Sequence, residues 1–347
     1  MENDDSVPLP LRVGIAYNLK KGLPPEAGDM EAEYDSFGTI VAIRDVFESA
    51  GIHTELLEAD SDFAQKVKST NVDLVFNLAE GTHGRGREAQ VPAILSFLGI
   101  PFSGSDETTL AVSLDKALTK RCLSTYGVRT PACLLLTSPE IPSDFPLRFP
   151  LIVKPNAEGS SKGISDLAVA DDRAQLQKIL TKNFRLYHEP MLVEEYIAGR
   201  EFTVGVLGNG GAKTVFEPME ILARSAGGKH LIYSYQVKKD YQKYISYRCP
   251  PDISPAQSAE IKQTAARIYE ALECRDFSRI DFRLSEDGTL YFIEINPLPG
   301  LAPGDSDYPM LAAFCGVDYR TLVLGVLNSA LARYGFRPVA VNRGDLQ

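Results

Sequence analysis

Residues 278–296 read SRIDFRLSEDGTLYFIEIN, and this stretch decides how the C-terminal part of the chain folds. The Asp287-Gly288 pair is frequent in two-residue hairpin turns, and here it separates two runs in which apolar and polar residues alternate. A turn centred on that pair places Asp281 directly opposite Glu294. The sequence therefore predicts an antiparallel hairpin that carries two carboxylates side by side on one face.

The two faces of this hairpin differ in chemistry. One face is predicted to pack on a core through Ile280, Phe282, Leu284, Tyr291, Ile293 and Ile295. On the other face, like charges that lie directly opposite each other are destabilising unless something neutralises them. Because Mg²⁺ prefers carboxylate and amide oxygens, Asp281, Glu294 and Asn296 form a candidate magnesium site. The alternative is a solvated sheet face on which Arg279 and Arg283 pair with the acids.

A candidate phosphate site lies upstream, in residues 149–165, which read FPLIVKPNAEGSSKGIS. A predicted strand ends at Lys154, and a loop of small residues that includes Ser160 and Ser161 follows. Backbone N–H groups, hydroxyls and an ammonium in such a loop suit a phosphate group. It is not a Walker A loop, because the chain has no GxxxxGK[ST] sequence. An ordinary turn is the alternative, but the candidate magnesium site downstream favours phosphate binding.

The rest of the chain alternates between apolar strands and amphipathic helices. Predicted strands cover residues 11–17, 72–77, 151–154, 164–170 and 201–207, and predicted helices cover 34–50, 88–98, 114–126 and 255–272. The alternation predicts a parallel α/β layer over the first hundred residues. The length of 347 residues indicates two or three domains, at roughly 100–200 residues per domain.

The composition is that of an ordinary globular protein. Hydrophobic residues make up 44% and charged residues 24%, which excludes disordered, collagen-like and disulfide-scaffold proteins. The formal net charge of −10 argues against general nucleic-acid binding. No apolar run reaches the ~18 residues of a membrane span, and the N-terminal sequence MENDDSVPLP lacks the features of a secretory signal. We therefore expect a soluble, cytoplasmic protein with no nucleic-acid or membrane partner.

Seven sequence blocks follow one another along the chain. They are Glu80-Gly81 with Glu88-Ala89-Gln90, IPFSGS at 100–105, LDKALTK at 114–120, FPLIVKPNAEGSSKGIS at 149–165, LVEEYIAGREFTVGVLG at 192–208, SRIDFRL at 278–284 and YFIEINPLPG at 291–300. In this order they resemble the D-alanine–D-alanine ligase family of the ATP-grasp superfamily, over about residues 72–330.

The resemblance implies an α/β fold of the α+β ATP-grasp type. An N-terminal parallel α/β layer in residues 1–105 is followed by two ATP-grasp subdomains, 106–196 and 197–347, which sandwich ATP. The implied activity is ATP-dependent formation of a dipeptide bond through an acyl phosphate, with release of ADP and phosphate. The implied cofactors are ATP and two Mg²⁺ ions, for which Mn²⁺ can substitute, and the implied assembly is a homodimer.

Positions in this chain that match the family's site residues carry implied roles. Nucleotide contacts are implied for Lys116, Lys154, Ser160, Ser161, Glu194, Glu195, Tyr196, Ile197, Glu201 and Lys238. Of these, Ser160 lies in a loop over the triphosphate and Lys238 in a closing loop that reaches the γ-phosphate. Arg279 and the Gly300 N–H are implied to stabilise an oxyanion, and Asp281, Glu294 and Asn296 match the magnesium ligands.

The amino-acid pockets depart from the family's pattern. The N-terminal segment AYNLKKGLPPEAG at 16–28 replaces a GGxSxE-type signature, and Glu33, with Glu31 as a rival, is the candidate anchor for the first substrate's ammonium. Glu80 stands where the family has a histidine, and Lys239 where it has a tyrosine. Asp305 and Ser306 are the candidates for the second substrate's carboxylate.

The identity of the joined molecules therefore stays open at this point. One reading is a D-alanine–D-alanine ligase of peptidoglycan synthesis. Another is a related ligase that joins other amino acids, or an amino acid and another amine, in a specialised pathway. A non-catalytic nucleotide-binding protein is a remote third.

Overall fold

The computed structural model describes residues 10–22, 33–158, 169–223 and 245–341. The strands are β1 (Arg12–Tyr17), β2 (His53–Glu58), β3 (Leu74–Asn77), β4 (Cys133–Leu136), β5 (Leu151–Pro155), β6 (Val169–Ala170), β7 (Met191–Glu195), β8 (Gly199–Leu207), β9 (Thr214–Val215), β10 (Met219–Ala223), β11 (Ile245–Arg248), β12 (Phe277–Ser285) and β13 (Leu290–Asn296). The helices are α1 (Phe37–Ser49), α2 (Phe63–Ser69), α3 (Gln90–Leu98), α4 (Glu107–Leu114), α5 (Lys116–Ser124), α6 (Arg173–Tyr187), α7 (Pro255–Ala271), α8 (Asp307–Phe314) and α9 (Tyr319–Arg333).

The N-terminal part folds as the predicted parallel α/β layer. Its three strands have the order β2-β1-β3, and both pairs are parallel. All four residues of β3 are buried, as expected of a strand in a parallel sheet that is covered on both faces. Helix α1 starts at Ser36, whose side chain accepts a hydrogen bond from the Thr39 N–H.

Two antiparallel sheets follow. The first has the order β4-β7-β5-β6, and the second has the order β11-β10-β8-β12-β13 with β9 paired to β8. In the second sheet, β12 is hydrogen-bonded between β8 and β13. This arrangement sets the inner face of the predicted hairpin in the middle of an apolar core that also contains buried side chains of α7.

Asp276 is fully buried and joins segments that are far apart in the sequence. Its carboxylate accepts hydrogen bonds from the Gly104 N–H at 2.8 Å and from Nη2 of Arg333 at 2.8 Å. Because Arg333 ends α9, the C-terminal helix is tied to the segment that leads into α4. Buried residues of α9 also share one core with β1 and α1.

The predicted helix at 114–126 is confirmed as α5, but it begins at Lys116 rather than at residue 114. Two helices, α4 and α5, meet at Asp115, which has an extended backbone and ends the first helix. The Asp115 carboxylate accepts a hydrogen bond from the Leu118 N–H at 2.9 Å and so caps the second helix. Within the predicted strand at 164–170, the described residues form only the short β6.

Among the described residues, no single helix is both long and apolar enough to cross a bilayer. The consecutive helices α8 and α9, bent by 108°, meet the length and composition test only when they are counted together.

Candidate active site

One cavity of about 520 Å³ is lined by residues of the N-terminal part, of the junction between α4 and α5, and of β12, β13 and the loop that follows β13. Of the residues that the sequence singled out, its lining includes Glu33, Glu80, Lys116, Arg279, Glu294, Asn296, Gly300, Asp305 and Ser306. The candidate substrate residues of the N-terminal part thus face the same space as Glu294 and Asn296, whereas the third candidate metal ligand, Asp281, is not part of the lining.

In the hairpin, the two acids lie opposite each other as predicted, but the turn and the register next to them differ from the prediction. Asp281 pairs with Glu294, whereas Phe282 pairs with Phe292 because a bulge shifts the register between them. The turn is one residue longer than predicted: Ser285 donates its N–H to the Thr289 carbonyl, which leaves three residues in the loop. Gly288, at φ +81°, supplies the left-handed residue that such loops require. The longer turn and the bulge offset each other, so the predicted pairing holds at the acids.

The same bulge corrects the predicted apolar face. Leu290 and Phe292 are buried, whereas Tyr291 and Ile293 are only half-buried. The carbonyl of the bulged Ile293 accepts a hydrogen bond from Lys120 at 3.0 Å. Lys120 is therefore a site residue that sequence reasoning missed, although it lies four residues after Lys116 and so on the same face of α5.

The opposed carboxylates each have a cationic neighbour. The Asp281 carboxylate accepts from Nε and Nη2 of Arg279, at 3.1 and 2.9 Å, and from the Thr203 hydroxyl at 2.6 Å. Glu294 lies 3.8 Å from Nζ of Lys116. The pairing of Asp281 with Arg279 agrees with the alternative from the sequence. The face is not solvated, however, because Arg279 and Arg283 are 9% and 7% exposed.

Arg279 is held by acids on two sides. Asp281 takes its Nε and Nη2 nitrogens, while Nη1 lies 3.4 Å from Asp307. Although burial alone would lower the pKa of Arg279, these carboxylates raise it, so the guanidinium stays charged. Asp307 also accepts a hydrogen bond from the Tyr247 hydroxyl at 2.7 Å. The sequence did not single out Asp307.

The loop before α8 brings Gly300 and Ser306 together. A Cβ atom at Gly300 would lie 2.8 Å from Oγ of Ser306, so a side chain there would displace the serine hydroxyl. The Ser306 hydroxyl accepts a hydrogen bond from the Ala302 N–H at 3.2 Å. Both residues line the cavity with Arg279.

Lys154, one of the two lysines assigned to phosphate binding, lies beside Glu194 together with Lys120. This glutamate is 1% exposed, and its oxygens lie 3.0 Å from Lys154 and 2.8 Å from Lys120. Although burial would raise it, the two ammonium groups lower the pKa of Glu194 to about 2. Lys116 donates to the Glu158 carbonyl, and the Asn156 side chain accepts from the Ala117 N–H, which fixes the start of α5 against the end of β5.

Lys120 and Lys154 differ in their electrostatic surroundings. Burial lowers the pKa of Lys120, and Glu194 only partly offsets this. Lys154 is equally buried, but Glu194, Glu294 and Glu201 together raise its pKa. Lys154 therefore remains charged, as a group that binds a polyanion must.

The segment that the resemblance assigns to the nucleotide hinge is organised by Arg283. This arginine donates to the Tyr196 hydroxyl at 3.0 Å, to the Ile197 carbonyl at 2.9 Å and to Glu201 at 2.8 Å. Glu195 pairs instead with Arg148 at 3.0 Å, near the surface. The sequence suggested Arg283 only as a partner for the hairpin acids. In the structure it joins β12 to the candidate hinge segment.

The N-terminal side of the cavity is rich in acids. Nη2 of Arg87 donates to both oxygens of Glu33, at 2.7 and 2.6 Å. Oxygen atoms of Glu33, Glu80 and Glu88 lie within 4.8 Å of one another. Gly81 makes this packing possible, since a Cβ atom there would lie 2.0 Å from the Arg87 carbonyl oxygen. Neither Arg87 nor the role of Glu88 was recognised in the sequence.

Four predicted site residues, Ser160, Ser161, Lys238 and Lys239, lie outside the described residues. Glu31, the rival of Glu33, does so as well.

Comparison with known proteins identifies the family. Residues 142–328 match the family described as D-ala D-ala ligase C-terminus. Over 287 residues the chain is 33% identical to a D-alanine–D-alanine ligase of Bordetella petrii, which covers 82% of this chain and 84% of that protein.

Two solved structures share the fold. A D-alanine–D-alanine ligase from Bacillus anthracis complexed with ATP has a TM-score of 0.72 and 21% identity, with 94% of this chain and 98% of that chain covered. The VanG D-Ala:D-Ser ligase from Enterococcus faecalis has a TM-score of 0.73 and 21% identity, with 92% and 99% covered. The matched family, the Bordetella relative and the shared architecture together establish that this chain belongs to the D-alanine–D-alanine ligase family of ATP-grasp enzymes.

Proposed function

We propose that the protein is an ATP-dependent ligase that joins the carboxylate of one amino acid to the amino group of another. The observation that supports this most is the shared cavity, whose lining combines Arg279 and Gly300 with the acid-rich N-terminal side. A reaction of two amino acids and a nucleotide needs acidic, cationic and backbone N–H groups around one space, and this lining provides all three.

The candidate magnesium ligands suit that ion. Asp281, Glu294 and Asn296 offer two carboxylates and an amide oxygen, a set of hard oxygen donors typical of Mg²⁺. We assign these residues to two Mg²⁺ ions, for which Mn²⁺ can substitute. When bound, magnesium neutralises negative charge on the phosphates of ATP.

The chain's own cations would position the nucleotide. We assign Lys116 and Lys154 to its α- and β-phosphates, Glu201 to its ribose, and residues 194–197 to its adenine. Because the Glu194 side chain is committed to Lys120 and Lys154, the adenine contacts that we propose come from the backbone of this segment. We assign Ser160 and Lys238 to the loops that cover the phosphates.

In the reaction, a carboxylate oxygen of the first amino acid attacks the γ-phosphorus of ATP, and ADP leaves with the electrons of the broken bond. The neutral amino group of the second amino acid then attacks the acyl carbon, phosphate leaves with the electrons of the broken carbon–oxygen bond, and the proton that the amine loses passes to the phosphate. Arg279 and the Gly300 N–H would stabilise the tetrahedral oxyanion of this second step. Removal of one such donor typically costs ~2.7–4 kcal/mol of transition-state stabilisation.

The substrate pair is the part of the proposal with two candidates. D-alanine with D-alanine is supported by the activity for which the Bordetella relative is named. Another pair is supported by the pairing of Glu33 with Arg87, which occupies both oxygens of the candidate ammonium anchor. We place Asp305 and Ser306 beside the second substrate and Glu80 beside the first.

We further propose that the protein works as a homodimer in the cytoplasm. Its domains are proposed to be residues 1–105, 106–196 and 197–347. The three sheets fall into these three ranges.

The test is phosphate release with Mg·ATP over paired D- and L-amino acids, followed by mass measurement of the product. We expect release that requires amino acids and a product whose mass equals two amino acids minus water. Nucleotide binding without amino-acid-dependent ADP release would contradict the proposal and favour a binding protein. The pair that stimulates release separates the two substrate candidates.

A further inference from the structure

The candidate ammonium anchor, Glu33, is already neutralised within the protein. Both of its oxygens accept hydrogen bonds from Nη2 of Arg87, and its side chain is 5% exposed. The same guanidinium donates to the Ala157 carbonyl at 2.6 Å through Nη1. Arg87 is thus fixed at two nitrogens, and Glu33 has little capacity left for a second cation.

Two neighbouring carboxylates have no such partner. Glu80 and Glu88, which we call the acidic pair, both line the cavity. Across the part of the chain that the structure describes, neither accepts a hydrogen bond or lies in a salt bridge. Glu88 is only 8% exposed. A buried carboxylate that faces a cavity without a partner is costly unless a ligand supplies the missing charge.

The titration behaviour of the acidic pair agrees with an unmet charge. Burial, together with repulsion from Glu33, raises the pKa of Glu88 to about 7. Burial and repulsion from Glu88 and Glu33 raise the pKa of Glu80 as well. Each acid would become more readily ionised if a cation entered between them.

The described cations that act most on the acidic pair are Arg87 and Lys116, and both are shared with other acids. Arg87 faces four carboxylates, those of Glu33, Glu80, Glu88 and Glu158. Lys116 also acts on Glu88, but its ammonium donates to the Glu158 carbonyl and lies 3.8 Å from Glu294. An amino acid with one ammonium would leave part of this negative charge unbalanced.

We propose that the first substrate, whose carboxylate is activated, is an amino acid with a basic side chain, and that the acidic pair Glu80 and Glu88 binds its cationic groups. This inference rests on the proposed ligase function and specifies its substrate class. Glu33 then serves to position Arg87 rather than to bind the substrate.

An organic cation fits the acidic pair better than a metal ion does. Oxygens of Glu33, Glu80 and Glu88 are close enough together to suggest a three-carboxylate metal site. However, both Glu33 oxygens are engaged by Arg87, whose positive charge opposes a divalent ion beside it. The cavity also continues to the candidate reaction centre at Arg279 and Gly300, so a substrate can reach both.

The experiment compares lysine with norleucine, which has nearly the same shape but no side-chain charge. Both enantiomers are tested as first substrate, with Mg·ATP and a panel of second amino acids, and kcat/KM is measured from phosphate release. We expect lysine to exceed norleucine by about tenfold or more, the size of effect that a hydrogen bond to a charged group produces. Equal or higher activity with norleucine or alanine would overturn the inference and leave the ligase function intact.

Variants then assign the preference to the acidic pair. Glu88→Gln and Glu80→Gln should each lower the lysine-to-norleucine ratio by about tenfold, whereas Glu260→Gln, at an exposed acid on α7, should leave the ratio unchanged. A ratio that stays at the wild-type value in both pair variants would refute the assignment. Thermal unfolding checks that each variant is folded. If a variant does not fold, the comparison of lysine with norleucine in the wild-type protein still decides the inference.

Two further measurements separate the remaining outcomes. If no amino acid stimulates phosphate release, the ligase proposal fails; a thermal shift by lysine over norleucine then still tests the acidic pair, and its absence overturns the inference too. Mn²⁺ binding is measured without nucleotide by electron paramagnetic resonance. A bound Mn²⁺ that Glu88→Gln removes would show a metal site and overturn the inference.

Discussion

Asp307 lies 3.4 Å from Nη1 of Arg279, the nitrogen of that guanidinium that Asp281 does not contact. Arg279 is therefore held from two directions, by a neighbour on its own strand and by the first residue of α8. Since Asp307 also accepts from the Tyr247 hydroxyl, it links β11 to the proposed oxyanion site.

We expect Asp307→Asn to lower kcat by about tenfold, because Arg279 loses one of its charged partners while keeping Asp281. The KM for ATP should change little, since Asp307 lies on the amino-acid side of the site. Steady-state kinetics measures both. Asp252→Asn is the matched control, because the side chain of that aspartate is 90% exposed and its ion pair with an arginine is long, at 3.9 Å. A kcat equal to that of the control would argue against a positioning role.

Asp281→Asn should lower activity more than Asp307→Asn does. Changes to residues that support a metal ligand reduce activity by 10–100-fold, so loss of a proposed direct ligand should reduce phosphate release by about a hundredfold or more. The Mg²⁺ concentration for half-maximal activity should also rise. Asp287→Asn, in the exposed turn of the same hairpin, should behave like the wild type. Near-normal activity of Asp281→Asn would refute the metal assignment.

Glu194→Gln should destabilise the fold by about 3–5 kcal/mol, as expected when one partner of a buried ion pair is removed. Lys120 and Lys154 would both stay buried without their shared carboxylate. Urea unfolding at pH 7 measures the loss. Glu270→Gln removes an ion pair whose glutamate is 64% exposed, and it should cost no more than about 1 kcal/mol. Equal losses in the two variants would contradict the structural role of Glu194.

The stability of the protein should also depend on Glu194 in acid. Its pKa is about 2 in the folded state, below its ordinary value of 4.5. Between these values the unfolded chain binds a proton that the folded chain does not, so unfolding is favoured as pH falls. The stabilisation is present above about pH 4.5 and is lost as pH falls towards 2. Glu194→Gln should flatten this part of the curve; an identical slope in both proteins would disprove the linkage.

Arg283→Lys should raise the KM for ATP by about tenfold with little change in the KM for amino acids. Lysine keeps the charge but cannot donate from several nitrogens to Tyr196, Ile197 and Glu201 at once. Arg200→Lys is the matched control, because Arg200 forms a two-nitrogen pair with Glu220 on the same sheet. An ATP KM that rises equally in both variants would indicate a general effect on the sheet.

The sequence predicted the pairing of Asp281 with Glu294 correctly. It missed the bulge next to that pair and the length of the turn. A two-residue turn at Asp287-Gly288 is the simplest solution for local chemistry, and nothing in the sequence marks Ile293 as a bulge. The carbonyl of this bulged residue accepts a hydrogen bond from Lys120, on a helix more than 160 residues away. Local patterns cannot specify a register shift that a distant side chain stabilises.

The charged neighbourhoods were the least predictable part of the site. Spacing placed Lys154 at the end of a strand and Lys116 at the start of a helix, but it could not show that Lys120 and Lys154 share Glu194. In the same way, nothing in the sequence singled out Arg87. Its contact with Glu33 joins positions 54 apart in the chain.

The sequence by itself determined the elements that alternation and turn chemistry control: the parallel N-terminal layer, the C-terminal hairpin, and the opposition of Asp281 to Glu294. The tertiary structure alone decided which buried charges neutralise each other, and so which carboxylates remain available to a ligand. The physical reason is that periodicity is encoded in neighbouring residues, whereas the electrostatic state of a buried acid depends on groups that only folding brings within a few ångströms.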